Sequence, residues 1–166
     1  MPESLKARAL KLLARREHSR AELGRKLAAY LEKCAEQDAE QDARHGNEHG
    51  ADAAEIDRLL DELESRGWLS ERRVVEQMVH ARRSRFGMQR IERDLLAKGV
   101  SGEAVAGAMQ DLKDGELAAA REIWRRKFGG RLPRSQAERG KQARFLQGRG
   151  FGMDVILKVI KGSDDE

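Results

Sequence analysis

Residues 90–100 read RIERDLLAKGV, and residues 141–151 read KQARFLQGRGF. The two stretches share basic residues at their first, fourth and ninth positions, a leucine at the sixth and a glycine at the tenth. Shortly before them, residues 83–87 (RSRFG) are similar to residues 125–129 (RRKFG). In the first stretch apolar residues recur four apart, which places them on one helix face, and the glycine is a typical helix stop. The pattern therefore predicts a helical unit that is repeated along the chain.

A third and weaker copy of this unit lies near the start of the sequence. Leu23 and Leu27 correspond to Ile91 and Leu95 at an offset of 68 residues, whereas the other two copies are 51 residues apart. The difference is close to the length of an acidic insert at about residues 35–52, in which the sequence EQDA occurs twice in a row. Each unit is too small to bury much apolar surface alone, so neighbouring units are expected to share contacts in an elongated helical array. The predicted three-helix modules are residues 1–69, which contain the insert, residues 70–114 and residues 115–166.

The remaining pattern predicts an all-α fold. Serines with helix-capping spacing stand before four predicted helices, at Ser19, Ser70, Ser101 and Ser135. No turn-bounded runs of β-branched residues occur, which excludes a sandwich or a barrel. For the acidic insert, two interpretations stay open, a mobile segment and a frayed extension of a helix. The nine predicted helices cover residues 4–17, 19–31, 53–66, 71–85, 87–98, 101–112, 116–128, 135–149 and 153–161.

Charge is distributed unevenly along the 166 residues, of which 33 are Lys or Arg and 29 are Asp or Glu. Residues 1–31 carry a net charge of +5, residues 32–64 carry −9 and residues 65–166 carry +8. A basic body with an acidic insert indicates a polyanionic partner. No apolar run reaches the length of a membrane span, no secretion signal is evident, and the single cysteine, Cys34, cannot form an intrachain disulfide. These features predict a cytoplasmic protein.

Few residues suggest catalysis. His45 and His49 have the spacing of a metal-binding pair on a helix, but glycines surround them and no third ligand is evident, which favours a solvated linker. The segment Gly140-Lys141-Gln142 lacks the hydroxyl that a phosphate-binding loop of the Walker type requires. We therefore predict no enzymatic activity, no metal site and no cofactor.

Basic residues that recur at matching positions of the second and third modules form the most informative pattern. Their alternative interpretation is a set of solvated faces with internal ion pairs. With only seven aromatic residues, base stacking cannot dominate nucleic-acid binding, so we expect contacts to backbone phosphates. Phe86, Phe128, Trp68 and Trp124 are predicted to be packing residues. The candidate partner- and nucleic-acid-binding residues are Arg82, Arg83, Arg85, Arg90, Arg93, Lys98, Arg125, Arg126, Lys127, Lys141, Arg144 and Arg149.

Several of these stretches resemble the RecX family, the bacterial regulators of the RecA recombinase. The similar segments are SRAELGRKL at residues 19–27, GWLS at 67–70, the whole of 82–100, RKFG at 126–129 and 141–151. The resemblance covers nearly the whole chain except about residues 35–52. No single segment is diagnostic, but their order and spacing together are fairly specific. The acidic insert is the main departure from the family pattern.

The resemblance implies a protein that binds active RecA filaments on single-stranded DNA. Such proteins lodge in the filament groove and inhibit filament extension, ATP hydrolysis, strand exchange and coprotease activity, and so modulate DNA repair. They are not enzymes. The implied partners are the RecA filament and, through phosphate contacts, DNA in single-stranded and also in double-stranded form. No membrane contact and a monomeric state are expected. The alternative is a sequence-independent DNA-binding helical protein that acts without RecA; an enzyme would rest only on His45 and His49.

Overall fold

The computed structural model describes residues 3–41 and 49–162, and all regular secondary structure in these ranges is α-helical. The all-α prediction is confirmed. The described part of the chain contains nine helices: α1 (Leu5–Leu13), α2 (Arg20–Gln41), α3 (His49–Ser65), α4 (Glu71–Arg82), α5 (Met88–Ala97), α6 (Gly102–Lys113), α7 (Glu116–Phe128), α8 (Gln136–Gly148) and α9 (Met153–Lys161).

The four predicted capping serines each stand directly before a helix. The side-chain oxygens of Ser19, Ser70, Ser101 and Ser135 accept a hydrogen bond from the backbone N–H three residues later, at 3.0, 3.4, 3.4 and 3.2 Å respectively. Each serine thus satisfies one N–H group that has no partner within the helix. The starts of α2, α4, α6 and α8 are therefore determined locally by the sequence.

Five helices end one to four residues earlier than predicted, namely α1, α3, α4, α5 and α8, and the earlier end of α4 determines where Phe86 lies. The N–H of Arg85 donates to the carbonyl of Arg82, three residues back, at 2.9 Å, so the α-helical pattern is not continued to Arg85. Helix α1 likewise ends at Leu13 and α8 at Gly148, short of the predicted ends at residues 17 and 149. The turn that follows α4 places Phe86 just before α5.

The acidic insert is helical where the structure describes it. Helix α2 continues to Gln41, ten residues beyond the end at residue 31 that periodicity predicts, and α3 begins at His49 instead of residue 53. Glutamate, glutamine and alanine are good helix formers, which explains an extension without an apolar face. Of the two interpretations, helix extension is confirmed for residues 35–41 and 49–52. Residues 42–48 lie outside the described residues, and with them His45.

The described residues form two compact units, of which the first (unit 1) comprises the chain up to Val74 together with Lys98–Val100. Helices α1, α2 and α3 pack around Leu23, Leu27 and Leu63, all fully buried. The hydroxyl of Ser19, buried as well, donates to the carbonyl oxygen of Lys98. The segment that follows α5 is thus part of unit 1, although it lies far along the chain from α2.

The second unit (unit 2) comprises Val75–Ala97 and the chain from Ser101 onward. One apolar cluster of unit 2 joins α7, α8 and α9 and includes the buried residues Trp124, Leu146, Phe151 and Ile156. The indole N–H of Trp124 donates to the side-chain oxygen of the buried Gln142 at 2.8 Å, so this polar group is satisfied inside the core. The prediction that Trp124 is a core residue is confirmed.

Trp68 in unit 1 differs from its prediction as a packing residue. Its relative exposure is 43%, and the guanidinium of Arg66 lies over its ring at 5.3 Å from the centroid. The ring of Trp68 therefore packs against the Arg66 side chain at the surface instead of filling the core. None of the helices within the described ranges combines the length and the apolar character that a membrane crossing requires.

Candidate nucleic-acid interface

Two basic segments of unit 2 are joined by backbone hydrogen bonds. The N–H of Gly87, just before α5, donates to the carbonyl of Arg149 at 2.8 Å, and the N–H of Gln89 donates to the carbonyl of Gly150 at 3.1 Å. Gly150 has a φ of +92°, and a Cβ added to it would lie 2.5 Å from the Cβ of Arg90. Only glycine fits here, because both the backbone conformation and the close approach exclude a side chain. This junction brings arginines of the second and third repeats together.

Helix α7 supports the same junction through Glu116. Its carboxylate accepts a hydrogen bond from the N–H of Met88, the first residue of α5, at 2.9 Å. Burial raises the pKa of Glu116; the bond from Met88 opposes this, Asp154 adds to it, and Arg83 opposes it. A carboxylate at a helix N-terminus satisfies free N–H groups and interacts favourably with the helix dipole. The start of α5, and the arginines on it, are thereby fixed relative to α7.

Four guanidinium groups surround the ring of Phe86. The guanidinium carbons of Arg82, Arg85, Arg90 and Arg149 lie 5.7, 5.5, 5.5 and 5.6 Å from the ring centroid. Each such contact contributes about 0.5–1 kcal/mol at an exposed site. The half-buried ring therefore holds together charges that repel each other, a role that the packing prediction did not include.

Asp94 divides these four arginines into two pairs. Its carboxylate lies 2.6 Å from Arg82 and 3.5 Å from Arg90, whereas Arg85 and Arg149 form no ion pair with any described residue. Arg82 and Arg90 thus share a single counter-charge, whereas Arg85 and Arg149 have none among the described residues and are available to a partner. The sequence reasoning missed Asp94, although its position four residues after Arg90 on a helix is typical of an ion pair.

A second aromatic ring, that of Phe145, holds cations of the third repeat. Lys127 Nζ and the guanidinium carbon of Arg149 lie 5.8 and 5.3 Å from its centroid. Phe128 packs against the same ring edge-on, with the centroids 5.3 Å apart. Arg149 thus contacts both Phe86 and Phe145 and connects the two aromatic clusters.

A cavity of about 290 Å³ lies between these clusters, and we call it the cation pocket. Arg126 donates to the carbonyl of Ser84, and Arg149 donates to the carbonyl of Arg85 at 3.4 Å, so two of its side chains are tied to the turn after α4. None of the residues that line it carries a carboxylate. The lining residues are Ser84, Arg85, Ile123, Arg126, Lys127, Phe145 and Arg149.

The other predicted site residues lie outside the cation pocket. Arg83 lines a larger cavity of about 610 Å³, to which Arg126 also contributes. Arg93 is exposed, and its Nε donates to the carbonyl of Gln89 at 3.3 Å. The other predicted site residues of α7 and α8, all exposed, are Arg125, Lys141 and Arg144.

Lys98 is the one predicted site residue that belongs to unit 1. Its Nζ lies 3.8 Å from a carboxylate oxygen of Glu22. The hydrogen bond from Arg16 lowers the pKa of Glu22 to about 2; burial opposes this shift, and the charges of Lys98, Arg16 and His18 add to it. Lys98 therefore has an internal counter-charge, unlike the cations of the pocket.

The sequence offered His45 and His49 as the alternative of a metal-binding pair, and one of these two residues lies outside the described ranges. His45 lies there, and His49 begins α3. In the part of the chain that the structure describes, no three His, Cys, Asp or Glu side chains come together as metal ligands would. His18 is buried in unit 1, where its Nδ1 lies 2.9 Å from the carbonyl of Arg16.

Comparison with known proteins agrees with this architecture. The family model described as "RecX, second three-helix domain" matches residues 70–109, and "RecX, third three-helix domain" matches residues 114–160. The chain belongs to the RecX family.

Relatives named "Regulatory protein RecX" match along almost the entire chain. The protein from Leptothrix cholodnii is 45% identical over 163 residues, which cover 98% of this chain and 91% of the relative. The protein from Herbaspirillum seropedicae is 46% identical over 161 residues, covering 96% and 91%. The crystal structure of RecX from Lactobacillus salivarius has the same fold, with a TM-score of 0.70, 15% identity and coverage of 95% of this chain and 93% of that one.

Proposed function

We propose that this protein is a non-catalytic regulator of the RecA recombinase. It binds in the groove of a RecA filament on single-stranded DNA and inhibits filament extension, ATP hydrolysis, strand exchange and coprotease activity, and so modulates DNA repair. Membership of the RecX family supports the regulatory role. The observation that carries the binding role is the cation pocket, where four cations converge without a carboxylate among the lining residues.

The pocket cations are proposed as the main contacts to the filament. Arg85, Arg126, Lys127 and Arg149 have no internal ion pair among the described residues and are oriented by rings or carbonyls. Guanidinium groups bind phosphates with two parallel hydrogen bonds, and phosphate contacts carry no sequence information. Binding to single-stranded and double-stranded DNA is therefore expected to depend strongly on salt and weakly on sequence.

The remaining predicted residues are proposed to act at the edge of this interface. They add to the electrostatic attraction of unit 2 without lining the pocket, with the exception of Lys98, which lies in unit 1 beside Glu22. The same proposal includes a monomeric state. It also includes the division into three modules, at residues 1–69, 70–114 and 115–166. The peripheral cations are Arg82, Arg83, Arg90, Arg93, Arg125, Lys141 and Arg144.

The rate of ATP hydrolysis by RecA on single-stranded DNA tests the proposed function. The protein is added at increasing ratios, all below one molecule per RecA monomer. Inhibition at these ratios is expected, because one bound molecule that blocks filament growth affects many subunits. An unchanged rate, with RecA shown to bind the DNA in the same buffer, would contradict the proposal.

A DNA-binding protein that acts without RecA is the second candidate function. The same pocket favours it, because its cations suit the phosphates of any nucleic acid. Titration of labelled single-stranded and double-stranded oligonucleotides at fixed salt separates the two functions. Binding to DNA together with an unchanged RecA rate would favour this second function.

A further inference from the structure

The cation pocket concentrates four positive charges around a small cavity, which favours the binding of a compact anion. Arg85, Arg126, Lys127 and Arg149 line a cavity of only about 290 Å³. Like charges at such short range disfavour each other, and no carboxylate among the lining residues offsets this. A ligand that brings two or more negative charges into the cavity would remove the repulsion and gain charge-assisted hydrogen bonds.

Contacts within the protein hold the side chains of the pocket in place. Arg126 and Arg149 donate to the carbonyls of Ser84 and Arg85, and Arg149 also lies over the rings of Phe86 and Phe145. These contacts already restrict the rotamers of Arg126 and Arg149. Unrestrained arginine side chains would lose that conformational freedom only when a ligand binds. A preformed arrangement of this kind binds more tightly than free side chains, because less ordering is required when the ligand arrives.

The size and chemistry of the walls select a phosphate group instead of a nucleobase. Small-molecule sites start at about 300 Å³, so this cavity is at the lower limit and suits one or two phosphate groups. A base would need an open aromatic face, but cations already lie over Phe86 and Phe145.

We propose that the cation pocket is a preformed phosphate-binding pocket, which rests on the proposed binding of the RecA–DNA filament through this same surface. The phosphate can come from a nucleic-acid backbone or from a free compound with adjacent phosphate groups, because both present the same tetrahedral anion. The walls that hold it are Arg85, Arg126, Lys127 and Arg149. Phe86 and Phe145 act as positioning residues for those walls.

Calorimetric titration of the full chain with inorganic pyrophosphate tests the pocket directly, and a parallel titration with a single-stranded oligothymidine tests the backbone source. The test variant is R85Q/K127Q, which removes two exposed pocket cations. The control is R139Q/K161Q, which removes an exposed arginine and an exposed lysine of unit 2 outside the cavity. Affinity of the test variant should fall about tenfold or more, because charge-assisted hydrogen bonds are lost, and that of the control less than about twofold.

The outcomes separate the possible sources. If R85Q/K127Q alone loses pyrophosphate binding, the pocket is a site for free phosphate compounds. If R85Q/K127Q loses only oligonucleotide binding, the pocket is a site for the phosphates of a nucleic-acid backbone. Equal losses in the two variants would mean a general electrostatic field and would overturn the proposal. The proposal would also be overturned if neither probe binds to the wild type.

Phe86→Leu and Phe86→Tyr test the positioning role separately. In the wild type the arginine side-chain NMR signals of the pocket should be shifted by the ring current of Phe86. The positioning role would be supported if F86L loses both this shift and its affinity for pyrophosphate while its unfolding temperature is unchanged. F86Y should then restore both the shift and the affinity. Unchanged affinity in F86L with the shift lost would overturn the positioning role. RecA inhibition by the wild type is read separately, so a failed pocket and a failed regulatory function give different results.

Discussion

The two units of the molecule use basic residues in opposite ways. In unit 1 Arg20 lies 2.8 and 2.9 Å from carboxylates of Asp61 and Glu64, and Arg73 lies 2.8 Å from Glu17. In unit 2 the cations of the pocket have no such partner among the described residues, and only Asp94 balances part of the cluster around Phe86. The sequence supplies both units with many arginines. We therefore expect the position of the acids, and not the number of bases, to determine which surface binds a polyanion.

This contrast predicts that pocket cations matter for binding and not for stability. R85E/K127E should weaken oligonucleotide binding by about 3 kcal/mol or more, roughly a hundredfold, because two favourable contacts become repulsive. The free energy of unfolding should change by less than about 1 kcal/mol. Neither side chain has an ion pair to lose, and the lost contacts with the rings of Phe86 and Phe145 are offset by weaker repulsion among the pocket cations. Fluorescence anisotropy at fixed salt measures the affinity. R139E/K161E is the matched reversal, and an equal loss there would remove the distinction between the pocket and the rest of unit 2.

The junction that gathers these cations should depend on Gly150. Gly150→Ala should destabilise unit 2 by about 2 kcal/mol, because its φ is +92° and the new methyl group would meet Arg90. Gly148→Ala is the control, since nothing lies within 4 Å of its added Cβ. Denaturant unfolding compares the two variants. Equal stability of both variants would show that the close backbone approach does not limit this site.

Glu22 should matter for the stability of unit 1 and not for polyanion binding. Glu22→Gln should cost about 1–2 kcal/mol at pH 7 after allowance for solvent screening, because the ionised carboxylate bonds Arg16. The pKa of Glu22 is lowered in the folded state, so its contribution is present above about pH 4.5 and is lost as pH falls towards about 2. Unfolding curves at pH 7 and pH 3 should therefore differ less between the variant and the wild type at the lower pH. A difference that grows at pH 3 would contradict this account.

Substitution of Asp94 has the smallest expected effect, and it tests most closely whether internal acids limit polyanion binding. Asp94→Asn frees Arg82 and Arg90 from their internal partner, so oligonucleotide affinity should rise by about three- to tenfold, with a steeper dependence on salt. Binding titrations at several salt concentrations measure both quantities. Lower affinity would mean that Asp94 orients these arginines for the ligand instead of competing with it.

The sequence predicted the elements that depend on local signals. Four capping serines and the glycine stop after α5 gave helix positions, and the repeat of basic residues pointed to the segments that the structure brings together. The end of α4 depends on a local turn between Arg82 and Arg85 that apolar periodicity does not reveal. The pairing of Lys98 with Glu22 could not be predicted, because it depends on a contact between distant parts of the chain. The same holds for the arginines around Phe86: periodicity shows which residues share a helix face, but not which helices meet.

RecA-catalysed ATP hydrolysis on single-stranded DNA, titrated in parallel with the wild type, R85E/K127E and R139E/K161E, tests the central claim most directly. The account predicts that the wild type and the control variant inhibit at ratios below one molecule per RecA monomer, and that the pocket variant inhibits far less while it unfolds at the same temperature. Equal inhibition by all three proteins would contradict the claim that the unpaired cations of unit 2 form the interface.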